Sequence, residues 1–78
     1  DPRKGVEMVQ KALEISPDSP YYEDSLAWGY FKLGECKKAK GIMMHAMKDV
    51  DFRSSKEAKE HLHLIELCII NLNKRLKK

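Results

Sequence analysis

The feature that most constrains this chain is an internal repeat. Gly5, Val9 and Ala12 are matched by Ala39, Met43 and Ala46, each pair offset by 34 residues. Each set steps by four and then three residues, the spacing of one helical face. A repeated helical unit of this size cannot bury its apolar face alone and must stack on a neighbour. The expected fold class is therefore all-α, made of antiparallel helix-turn-helix pairs.

Four helices are expected. The first runs from about Pro2 to Ile15, with Asp1 as N-cap, Pro2 at the first helical position and Val6, Val9, Ala12 and Leu13 on its buried face. Ser16-Pro17-Asp18-Ser19 ends it, because Pro17 lacks the N–H that would continue the ladder. The second, about Pro20 to Leu33, carries Tyr22, Leu26, Tyr30 and Leu33 as a stripe, with Trp28 and Phe31 offset from it. Gly34 follows as the left-handed residue beyond the helix end. The third is expected from Cys36 to about Val50, with Ala39, Met43, Ala46 and Met47 inward, followed by the connection Asp51-Phe52-Arg53. The last is the longest, from about Ser55 to near Lys77, and Ser54 and Glu57 have the spacing of a capping box before it. Its Ala58, Leu62, Ile65, Ile69, Leu72 and Leu76 advance as a heptad-like seam.

Residues 1–50 resemble the tetratricopeptide repeat family, whose period matches the offset above. Residues 1–17 resemble the second helix and closing proline of one repeat, and residues 20–51 resemble a full repeat. Leu26-Ala27 stands where the family has Leu-Gly, Tyr30 matches its aromatic, Lys32-Leu33-Gly34 its inter-helix turn, and Ala39-x3-Met43 its Ala-x3-Phe. Two positions depart from the pattern: Glu23 replaces the early Trp, and Asp51 replaces the closing Pro. The resemblance implies a short right-handed α-solenoid in which residues 54–78 form a capping helix. The start at Asp1-Pro2-Arg3, without an initiator Met or an apolar signal core, reads as a cut from a longer protein.

The resemblance also implies a function: protein–protein interaction, with a partner peptide or helix held on the concave face of the 20–33 helix. Carried over position by position, the groove-facing residues are Tyr21, Asp24, Trp28, Phe31 and Lys32. The competing reading is that Trp28 and Phe31 pack against a neighbouring helix. The family's carboxylate clamp needs Lys and Asn where this chain has Asp24 and Trp28, so binding of a chaperone tail is not expected.

The apolar residues of the last helix wrap around more than one face, where a cap with one side in water needs a single stripe. This raises an alternative, self-association as a homodimer through Leu64, Leu67 and Ile70. A third reading uses the basic end, Lys74, Arg75, Lys77 and Lys78, on an anionic ligand. Cations at a helix C-terminus, however, also simply complement the macrodipole.

Charge narrows the remaining classes. Lys and Arg total 15 against 12 Asp and Glu, a formal +3 of interspersed sign, which argues against a nucleic-acid partner. The apolar run near Leu62 to Leu72 is too short and too polar to span a membrane. Cys36 and Cys68 fit neither a CxxC pair nor a disulfide framework and read as buried free thiols, leaning towards a cytoplasmic, reducing compartment. His45, His61, His63, Cys36 and Cys68 hold no pair at i, i+4 ligand spacing, so neither a metal site nor a cofactor is expected. No nucleophile–base–orienter set or glycine-rich phosphate loop occurs, so the expected chain is not an enzyme.

Overall fold

The computed structural model describes residues 1–76, with the side chain of Leu76 outside the description; Lys77 and Lys78, part of the expected basic tail, lie outside it as well. The elements are α1 (Pro2–Ile15), α2 (Pro20–Lys32), α3 (Cys36–Ala46), α4 (Val50–Arg53) and α5 (Lys56–Leu76). There is no strand among the described residues, so the chain is all-α.

Local chemistry sets the helix ends. The Asp1 side chain accepts from the Arg3 N–H at 3.1 Å, and the Ser19 hydroxyl from the Tyr22 N–H at 3.4 Å. Each cap precedes a proline at the start of its helix, where the absent N–H costs nothing. α2 ends in a Schellman turn: the Glu35 N–H donates to the Tyr30 carbonyl at 2.9 Å and the Gly34 N–H to the Phe31 carbonyl at 3.0 Å. Gly34 sits at φ +83°, a conformation that side-chain-bearing residues rarely adopt.

α2 is the central helix, packed on α1 on one side and α3 on the other, while α5 lies mainly along α3. The interfaces are built around alanines: Ala27, Ala39 and Ala58 are fully buried and Ala46 nearly so. Small side chains let helix axes approach and leave room for Leu26, Tyr30, Met43 and Ile65 to fill the grooves. At the α1–α2 contact Gly29 faces Val6 with no room for a side chain. A Cβ there would lie 2.6 Å from Val6 Cγ2. The Gln10 amide crosses the same interface and donates to the Tyr30 hydroxyl at 3.0 Å.

Three expectations are corrected. The helix from Cys36 stops at Ala46 rather than running to Val50. The cause is Asp49, whose carboxylate accepts from the Phe52 N–H at 2.9 Å and starts a new turn, a geometry in which Asp is far better placed than in a helix interior. That turn, α4, swings Phe52 into the core, where it is 2% exposed. Because Ser54 then closes α4, the cap of α5 moves one residue on. The Ser55 hydroxyl accepts from the Ala58 N–H at 3.3 Å, while the Ser54 hydroxyl donates back to the Val50 carbonyl at 3.0 Å.

The third correction concerns the cysteines. Cys36 and Cys68 are joined by a disulfide across a Cα–Cα distance of 6.2 Å, so the free-thiol reading, and the reducing compartment argued from it, lose their basis. α3 and α5 run antiparallel, as the Lys40–Glu66 ion pair at 3.8 Å also records. The first residue of α3 therefore meets the later half of α5, a proximity that no sequence spacing announces.

Candidate functional site

The surface of α2 that faces α5 gathers most of the aromatic and titratable side chains of interest. Trp28 is half-buried and stacks on Phe31, with centroids 4.8 Å apart, and on the His61 ring of α5, at 4.3 Å. Asp24 lies one helical turn before Trp28, and its carboxylate meets His61 Nδ1 at 2.7 Å. Both members of that pair are mostly buried, with 14% and 19% of their side chains exposed. His61 also faces Glu57, one turn earlier on α5, with 3.9 Å between Nε2 and the carboxylate. Asp24, Glu57 and His61 thus present three metal-ligating groups within 4.8 Å of one another.

Of the five groove residues expected on α2, Asp24 and Trp28 are engaged by His61, and Phe31 is partly buried beside them. Tyr21, at the start of the helix, is 65% exposed and meets Phe52 edge-on at 5.6 Å. Lys32, at the other end, is exposed. The structure therefore does not bring the five together as one open surface. It places the middle of the row against α5 and leaves the ends in solvent.

The three residues expected to mediate self-association are all exposed: Leu64 and Leu67 at 42% and Ile70 at 48%. Leu64 and Leu67, with Phe31 and Leu72, line an open cleft of about 430 Å³ between α2 and α5 that is bordered by Asn71 and Arg75. Ile70 lies outside it. A second, larger cleft of about 640 Å³ runs between α3 and α5, where Met44, Met47 and Leu62 are flanked by Lys48 and Arg53. At its edge His45 pairs with Glu23 of α2. Lys74 and Arg75 occupy the last turn of α5, as cations complementing the helix dipole do.

Sequence reasoning missed three contributions. Glu57 and Asp24 were not considered as ligand partners of a histidine, although Glu57 and His61 have i, i+4 spacing and share a helix face. Phe52 sat in an expected connection, and its one signal was the Asp49 cap three residues earlier. No helix among the described residues is long and apolar enough to cross a membrane. No family model matches the chain, and comparison with curated protein sequences and with solved structures finds no match either.

Proposed function

We propose that this chain is a protein-interaction module of the tetratricopeptide-like kind, in which residues 54–76 cap a helix pair and help form the docking surface. The observation that carries the reading is the cleft where Phe31, Leu64, Leu67 and Leu72 converge beside Arg75. Phe31 belongs to the set implied by the family resemblance, and the leucines come from the apolar excess of α5. The fitting occupant is a partner segment with apolar side chains for the cleft and a carboxylate for Arg75. Aromatic and Arg anchors beside an apolar pocket are where binding energy concentrates in protein interfaces.

A selection from a displayed peptide library tests this. Recovered peptides should pair apolar residues with an acidic one and bind with an affinity that Phe31→Ala or Leu67→Glu lowers by about 30-fold, the loss of an anchor of about 2 kcal/mol. A library that yields no peptide sensitive to these changes counts against the reading.

Ile70 favours the second reading, a homodimer, because it extends the apolar surface of α5 beyond the cleft. Light scattering separates the two. A dimer dissociated by Ile70→Glu supports self-association, whereas a monomer that still binds selected peptides supports the cleft.

A further inference from the structure

Glu57 and His61 stand on successive turns of α5, and Asp24 reaches the same imidazole from α2. Their arrangement is directional. Asp24 accepts at Nδ1 over 2.7 Å, which assigns a ring proton to that nitrogen, so that in the neutral imidazole the lone pair is on Nε2. Nε2 lies 3.9 Å from the Glu57 carboxylate, too far for a hydrogen bond. The ring cannot turn easily to shorten this gap, because its face is stacked on Trp28, with 22° between the planes. The result is an imidazole fixed from behind by a carboxylate and from the side by an indole. Its other nitrogen lies 3.9 Å from a second carboxylate, that of Glu57.

Asp24 is hydrogen-bonded to the imidazole, whereas Glu57 is its i, i+4 neighbour on α5, within ion-pair range but beyond a hydrogen bond. A metal ion between Nε2 and Glu57 would use both carboxylates, one as ligand and one as the group that orients the ring. Two ligands at about 2.0–2.1 Å from a tetrahedral zinc ion are about 3.3 Å apart. The observed 3.9 Å therefore needs a closure of roughly 0.6 Å. Glu57 is free to make it, since 75% of its side chain is exposed. The Asp24–His61 contact has the form in which metal-bound histidines are commonly oriented, the second ring nitrogen donating to a carboxylate. One imidazole and one carboxylate suit zinc, copper or nickel better than calcium or magnesium, which take oxygen-only sets.

We propose that His61 Nε2 and the Glu57 carboxylate bind a first-row divalent transition-metal ion, with Asp24 holding the imidazole in the ligating orientation. The remaining coordination positions face the exposed side of α5 and are filled by water or by a side chain of a docked protein.

Trp28, the only tryptophan of the chain, reports directly on this site. Chelator-treated protein is titrated with Zn2+ by calorimetry and with Cu2+ by Trp28 fluorescence. One-to-one saturation is expected with both ions, together with strong Cu2+ quenching from a ligand ring 4.3 Å from the indole. Asp24→Asn should weaken binding by about 10–100-fold, the usual cost of losing such an outer partner. Glu57→Gln, at an exposed position that carries no folding risk, should weaken it at least as much, and His61→Gln should abolish it. His63→Gln and His45→Gln should leave it unchanged, with circular dichroism confirming that each variant is folded. The proposal is overturned by the absence of saturable binding at millimolar Zn2+, by affinity unaltered in Glu57→Gln, or by loss of binding in His45→Gln.

Discussion

Trp28 stacks on His61 with ring centroids 4.3 Å apart and 22° between their planes, while the same imidazole meets Asp24 one turn away. These contacts link α2, the centre of the helix pair, to α5, which otherwise packs mainly on α3. A residue from the expected binding surface thereby becomes part of the join between the pair and its last helix. The apolar surface left over is displaced to the cleft at Phe31.

The stack should be measurable as a coupling energy. In a double-mutant cycle of Trp28→Leu and His61→Gln, read by urea unfolding, the interaction is expected to be about 0.5–1.5 kcal/mol beyond the area buried. Additive single-mutant losses would show that the rings are adjacent without stabilising one another.

The disulfide closes a loop with a sequence separation of 32 residues. Loop-closure entropy puts its contribution at about 3–4 kcal/mol. For a chain of this size each kcal/mol moves the melting temperature by roughly 4–8 °C. Dithiothreitol, or the Cys36→Ser/Cys68→Ser double variant, should lower the midpoint by more than about 10 °C in a thermal scan. An unchanged midpoint would mean that the two thiols are not joined in the folded protein.

Phe52 is the largest fully buried side chain, although α4 has only four residues. Phe52→Ala should therefore cost about 3–5 kcal/mol. Its neighbour Val50 is 63% exposed, and Val50→Ala should fall within about 0.5 kcal/mol of the wild type. Equal effects at the two positions in denaturant unfolding would refute the core placement of Phe52.

Gly29 packs against Val6 where α1 and α2 meet. A methyl group there meets Val6 Cγ2 at 2.6 Å, and Val6 is itself buried and β-branched. Overpacking of this kind costs about 1–3 kcal/mol, which outweighs a helix-propensity gain of up to about 1 kcal/mol. Gly5 also lies within a helix but has nothing within 4 Å of an added Cβ. Gly5→Ala should stabilise the chain by roughly 0.5–1 kcal/mol. Unfolding curves that shift in the same direction for both variants would contradict the packing described.

Much of the local structure was legible. The first two helices follow from Asp1-Pro2 and Ser19-Pro20 as start signals and from Pro17 and Gly34 as stops, because caps and breakers act through neighbouring backbone groups. The buried alanines Ala39 and Ala46 and their partner Met43 were visible in the repeat itself. The region from Met47 to Ser55 was less legible, since its isolated apolar residues Met47, Val50 and Phe52 among charged ones suit either a continued helix or a turn. The choice fell to Asp49 and to a space in the core that Phe52 could fill.

By itself, then, the sequence determined that the chain is helical, where its first two helices begin and end, and which small residues line their contacts. These depend on interactions within a few residues, and helical periodicity records them directly. Tertiary structure alone decided how α5 lies. It brought Cys68 to Cys36, His61 to Asp24 and Trp28, and Leu64 and Leu67 to Phe31. Such contacts join residues more than thirty positions apart and depend on the antiparallel register of whole helices. A periodic pattern specifies which face of a helix is buried, but not which neighbour covers it or at what level along the axis.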